Sequence, residues 1–173
     1  MLSMSSEIPY FGEHTQITVM CSKCGWRHTD FIPSDGEKPG YSSLVVDSMD
    51  KVAARVVRSS SCTIRIPDLE LEVSPGGSAT GFVTNIEGVI RRFEDAVRIA
   101  TRDSDDKGSN ETAKHILETL AMAKDGERRL RVELLDPRGR SQIIHEESEH
   151  RELDESEIVV LDTGPEIPVF EVS

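Results

Sequence analysis

Cysteine is scarce in this chain, with three in 173 residues. Three cannot close a disulfide framework, so a reducing, cytoplasmic setting is expected. No long apolar run is present and nothing resembles a signal peptide, so no membrane partner is expected. Positive charge is in deficit: 20 Lys and Arg against 32 Asp and Glu leave a formal net charge of −12. Nucleic-acid binding rests on a basic footprint, and this balance argues against it. It favours solubility, or a partner with a basic surface. Aromatic residues make up 5% of the chain and all hydrophobic residues 36%. A core is still expected, because the apolar residues are patterned. Also lacking are a nucleophile motif, a phosphate-binding glycine loop and paired catalytic carboxylates, so the chain is not read as an enzyme.

What is present centres on residues 55–93. Cys62, Ile64 and Ile66 alternate with Thr63 and Arg65, the period of a half-buried strand. Cys62 is read there as a small core residue rather than a ligand. Pro67-Asp68 breaks the run. A second strand is expected with Leu69, Leu71 and Val73 facing inward, then a turn over residues 74–77. After Val83 the period changes: Ile86, Val89, Ile90, Phe93 and Val97 recur at helical spacing. Thr84 and Glu87 read as a capping box opening that helix. Gly88 in its first turn costs roughly 1 kcal/mol against alanine, which implies a close backbone contact. Upstream, Tyr41 to Asp47 reads as a strand. A short helix is expected from Ser48, with a stripe of Val52, Ala53, Val56 and Val57. It would place Arg55 and Arg58 on one face, to receive an acidic group of a partner or this chain's own carboxylates.

A second helix is expected over residues 110–124, with Ile116, Leu117, Leu120 and Ala123 on one side and Asp125-Gly126 ending it. The two helices form a hairpin whose loop holds Asp103, Asp105 and Asp106. Strands follow at residues 130–135 and 142–145, separated by the turn Asp136-Pro137-Arg138-Gly139. Residues 146–157 are strongly acidic, and late strands are expected at 159–161 and 169–172. His145, Glu147 and His150 could be drawn as a two-histidine, one-carboxylate metal site. The spacing fits poorly, because a strand puts His145 and Glu147 on one face and His150 on the other.

Residues 21–25, Cys-Ser-Lys-Cys-Gly, have the form of a zinc knuckle between two strands. Two thiolates three positions apart share a metal about 2.3 Å from each sulfur, and the glycine permits the turn. A structural zinc needs four ligands, and the motif supplies Cys21 and Cys24. His14 and His28 are the nearby substitutes. A redox pair is the weaker alternative, since no thioredoxin-like context follows.

The run RVVRSSSCTIRIPDLELEV, a glycine turn and then TNIEG, preceded by IPYFGE and CSKCGWRHTD, resembles the ZPR-type zinc-finger proteins in motif order and separation. The resemblance covers most of residues 8–135. It implies a mainly β (α+β) fold: a zinc-finger lobe over residues 1–40, then a double-stranded β-helix over 41–173 with a helical hairpin inserted at about 85–125. The family pattern has an earlier cysteine pair, which counting back places just upstream of Met1. The visible zinc site is therefore expected to be incomplete, or shared between two chains as a metal-linked homodimer. The resemblance further implies a binding module that holds translation elongation factor 1-alpha and assists its folding. A general protein-interaction adaptor is the alternative, and a metal-dependent, cupin-like enzyme the more distant one. Lys23 and Arg27 at the knuckle and the aspartates of the hairpin loop are the expected partner contacts, with Arg55 and Arg58 beside them.

Overall fold

In the computed structural model, which describes residues 2–8, 12–33, 38–102 and 106–164, the strands sort into three antiparallel sheets. The first is a meander of β1 (Leu2–Ile8), β2 (Gly12–Met20) and β3 (Arg27–Pro33). Met20 pairs with Arg27, so the cysteine knuckle is the loop of a β2–β3 hairpin.

The other two sheets interleave along the chain. One holds β4 (Gly40–Val46), β6 (Thr63–Ile66), β7 (Leu71–Val73), β9 (Leu130–Asp136) and β11 (Glu149–Glu152), in the order β11-β4-β9-β6-β7. The other holds β5 (Arg55–Arg58), β8 (Phe82–Asn85) and β10 (Gln142–Ile144), in the order β10-β5-β8. Apart from the consecutive pair β6 and β7, neighbours in each sheet are distant in sequence, so the chain passes repeatedly from one sheet to the other. The reason is burial. Leu44, Val46, Ile64, Ile66, Val132 and Leu134 of the larger sheet join Val56 and Ile143 of the smaller in one core. Full burial of each such side chain contributes about 1.5–3 kcal/mol. In β9 the alternation is plain: Leu130, Val132 and Leu134 are buried while Arg131 and Glu133 stay half exposed. Cys62 is fully buried in the same core, as its pattern predicts.

Two helices form the expected hairpin. Helix α2 (Ile86–Thr101) buries Ile86, Val89, Ile90 and Phe93, and α3 (Lys107–Lys124) buries Leu120 and Ala123. Lys124 Nζ reaches Glu94 Oε1 across the pair at 2.7 Å, near the core. Helix α3 stops at Gly126, whose N–H donates to Ala123 O while the N–H of Glu127 donates to Met122 O. These bonds satisfy carbonyls that the helix end leaves open. Burial thins away from this base. Residues 107–112 are exposed, and Ile99 is 69% exposed. The hairpin thus projects from the core.

Several expectations are corrected. The short helix is only α1 (Met49–Val52), and residues 55–58 are strand β5 instead. The valines at 56 and 57 are β-branched and are drawn into the core as a strand. Leu69 belongs to a 3-10 turn, Pro67–Leu69, closed by the N–H of Glu70 on Pro67 O. Proline at its first position suits a helical turn better than a sheet ladder. Val73 is 37% exposed rather than facing inward. The turn after β7 is closed by Ala79 N on Gly76 O, further along than residues 74–77. The expected strand at 159–161 is replaced by a short helix, α4 (Glu155–Val159). A capping box of Asp154 and Glu157 starts that helix. The strand expected at 169–172 lies outside the described residues.

The start of α2 also differs. Its cap is Asn85, whose Oδ1 accepts the N–H of Gly88 at 2.9 Å, and Thr84 is the preceding strand residue. Glu87 pairs with Arg91 at 2.6 Å. The close contact implied by Gly88 is present: a Cβ there would collide with Thr84 Oγ1 and crowd Asn85 Oδ1.

Two consequences are measurable by chemical denaturation. Asn85→Ala removes the cap and should cost about 1 kcal/mol, whereas Glu87→Ala removes an exposed pair and should cost no more than about 0.5 kcal/mol. Gly88→Ala should destabilise by about 1–3 kcal/mol, and adding Thr84→Ala should recover most of that loss; equal effects with and without Thr84 would refute the collision.

Candidate functional site

The knuckle is built by backbone geometry. Cys21 N–H donates to Trp26 O at 2.7 Å, and Gly25 N–H donates to Cys21 O at 2.9 Å. Gly25 has φ +73°, a left-handed conformation that side chains resist. The turn aims the amides of Cys24 and Lys23 at the Cys21 sulfur, and these hold its thiol below the ordinary range. Amide N–H groups directed at sulfur favour a thiolate, the form that binds metal. The donor set therefore fits one half of a structural zinc site. Among the described residues, no third His, Cys, Asp or Glu clusters with this pair. His28, a substitute by sequence, is buried at 3% exposure and stacks on Trp26, with ring centroids 5.8 Å apart. The side chain of His14 lies outside the described ones.

The knuckle sheet is tied to the β core by polar contacts. Asp30 of β3 is 1% exposed. Its Oδ1 accepts the N–H of Ser60 at 3.0 Å, its Oδ2 accepts the Ser60 hydroxyl at 2.7 Å, and Arg140 lies 3.3 Å away. Gly81 N–H donates to Thr29 O at 2.7 Å beside this junction. On either side of Ser60, Ser59 and Ser61 turn to a second buried carboxylate, Asp136, at 2.7 and 2.6 Å. The serine run lies inside the stretch that carries the family resemblance, yet sequence patterning gave these hydroxyls no role. A run of three serines directly before a core strand was the available signal.

The expected partner residues fall into different surroundings. Lys23 and Arg27 are exposed at and beside the knuckle. Arg55 is exposed, but Arg58 is 6% exposed. Strand geometry turns residues three apart to opposite faces, so the two arginines do not share the face expected of a helix. Arg58 donates to Cys62 O through Nη2 at 2.8 Å and Nε at 3.2 Å, and to Thr80 O at 3.3 Å. Burial lowers its pKa. It is a core cation and is not available to a partner. Asp106 caps α3, its Oδ2 accepting the N–H of Ser109 at 2.7 Å. Asp103 and Asp105 lie outside the described residues.

The drawn metal triad is dispersed. His145 Nε2 lies 3.0 Å from Asp50 Oδ2, and its Nδ1 accepts the N–H of Glu147. Glu147 pairs with Lys51 at 2.8 Å, and His150 Nε2 lies 2.8 Å from Ser148 Oγ. Among the described residues, no helix is long and apolar enough to cross a membrane.

Two facing antiparallel sheets, a projecting helical hairpin and a cysteine knuckle define a jelly-roll module of the zinc-finger type. A family model described as the ZPR1 jelly-roll domain matches residues 50–159. An uncharacterised ZPR1-like protein of Pyrococcus horikoshii is 36% identical over 165 residues, covering 94% of this chain and 74% of that one. Another, from Methanocaldococcus jannaschii, is 36% identical over 158 residues, covering 91% and 80%. The chain belongs to the ZPR1 family. It is also 26% identical to the zinc finger chaperone of Schizosaccharomyces pombe over 142 residues, spanning 30% of that protein.

The three thiols should separate by chemistry. Cys62 is wholly buried, which pushes its pKa up to about 12, while Cys21 is held low by its amide donors. In the metal-free protein, iodoacetamide followed by mass spectrometry should label Cys21 at a lower pH than an ordinary thiol and leave Cys62 untouched until unfolding. Equal labelling of Cys21 and Cys62 in the folded protein would overturn the assignment.

Proposed function

We propose that this chain is a cytoplasmic protein-binding module that holds translation elongation factor 1-alpha and assists its folding. The observation that carries the reading is the family match together with a knuckle and a hairpin that both leave the β core. The chaperone name of the fission-yeast relative supports the general role. The charge supports the choice of partner, since a factor with tRNA-binding basic surfaces attracts a chain of net charge −12.

Zinc is the implied metal. Cys21 and Cys24 would hold one side of the ion as thiolates, and the metal would fix the knuckle's shape. With two ligands per chain, two copies would complete the tetrahedron in a metal-linked homodimer. Elemental analysis and light scattering should then give one zinc per two chains and a dimer that Cys24→Ser abolishes. A monomer that keeps one tightly held zinc would defeat the shared site.

The partner reading is tested with purified, denatured elongation factor 1-alpha diluted into native buffer. Added module should raise the recovered nucleotide-binding activity in proportion to module concentration, and no gain would sink the proposal. The hairpin tip has its own test, which leaves Asp106 intact because it caps α3. Asp103→Lys with Asp105→Lys should slow association with the elongation factor several-fold at low salt and little at high salt. An unchanged rate at low salt would remove the tip from the interface.

A further inference from the structure

The Gly81–Thr29 hydrogen bond marks a fork. On one side the knuckle sheet presents Gln16, Arg27 and Thr29; on the other runs β8, with Phe82 and Val83. Between them opens a cleft of about 430 Å³. It continues past Val83, whose side chain is 44% exposed, into a second hollow lined by Arg55, Thr84 and Asn85. Strand β8 lies at the end of its sheet, with β5 on one side and no other described strand on its far side. Its backbone is thus open to a further strand, in the way that sheet edges capture extended peptides.

The charge of this edge runs against that of the chain. Arg27 and Arg55 are exposed, and neither is paired with a carboxylate among the described residues. Among the described residues Arg65, Arg91, Arg131 and Arg151 each take one, while Arg102, Arg128 and Arg129 are likewise exposed without one. Arg92 stacks over the Phe82 ring with its guanidinium 4.0 Å from the centroid, adding a third cation beside the cleft. We infer that the β8 edge binds an extended acidic segment of a partner protein. Its backbone would pair with β8, its apolar residues would meet Val83, and its carboxylates would reach Arg27 and Arg55. A peptide is favoured over a nucleic-acid strand because the edge offers ladder hydrogen bonds that a sugar-phosphate backbone cannot return. The inference holds whichever protein supplies the segment, so it stands or falls separately from the elongation-factor reading.

The probe is a fluorescent peptide of about eight residues alternating valine and glutamate, a length that spans a typical strand. Fluorescence anisotropy should show saturable binding that weakens as salt rises. The same peptide with lysine for glutamate should not bind. Arg27→Glu combined with Arg55→Glu should weaken the acidic peptide about tenfold or more; both residues are exposed, and an unchanged far-UV spectrum would confirm the fold. Amide chemical shifts of the wild-type protein should move over Phe82–Asn85 on peptide addition. Equal affinity in the double variant, shifts confined to other strands, or tighter binding of a single-stranded oligothymidine of similar length would each overturn the inference.

Discussion

Asp136 carries no exposed surface, and five donors converge on its carboxylate. The hydroxyls of Ser61, Ser59 and Ser141 lie at 2.6, 2.7 and 2.5 Å, and the amides of Arg138 and Arg140 both at 2.9 Å. Burying a carboxylate costs several kcal/mol unless its lone pairs are satisfied. Here they are, and by groups from two distant parts of the chain. The turn between β5 and β6 supplies two of the serines, and the turn between β9 and β10 supplies the rest. The carboxylate therefore fixes how the chain crosses between the two sheets. Next to it, Arg58 is buried with its donors spent on the Cys62 and Thr80 carbonyls. Both charges sit where an apolar core would suffice for stability, and both instead fix which turn meets which.

The same serine turn settles how the knuckle sheet is carried. Ser59 and Ser61 serve Asp136, and Ser60, between them, serves Asp30 of the knuckle sheet. One turn thus couples the core crossover to the placement of the cysteine loop. This attachment is directional rather than merely adhesive. Hydrogen bonds to a buried carboxylate demand orientation, whereas apolar contacts tolerate sliding. A loop whose two thiols must keep a fixed spacing gains from the stricter kind.

The regular elements were largely legible in the sequence. The strand at Thr63–Ile66, the strand at Leu130–Asp136 and both helices of the hairpin follow from apolar periodicity, since one face of each meets the core. Reading Val56 and Val57 as a helical stripe failed because a run buried on both sides has no clear period. The box read at Thr84 and Glu87 failed by one residue, because Asn85 caps equally well and the strand runs up to it. The cysteine pair was legible by its spacing, and its amide-to-sulfur arrangement follows from the glycine turn. The two buried carboxylates were not, since nothing local distinguishes Asp30 or Asp136 from the chain's many solvated acids. Only the fold brings the serines to them.

The hairpin is gripped at one end. Phe93, Leu120 and Ala123 lie in the core, while the far turns of α2 and α3 lie in solvent. Helix α2 has 16 residues and so extends about 24 Å. It acts as a lever with its fulcrum at the base. The arm beyond Phe93 is about 12 Å, so a tilt of about 10° there carries the far end through about 2 Å, enough to break a hydrogen bond. Modest repacking around Phe93 is thereby magnified into a different footprint at the distal end, and substitutions in the core become a way to tune what the outer surface touches.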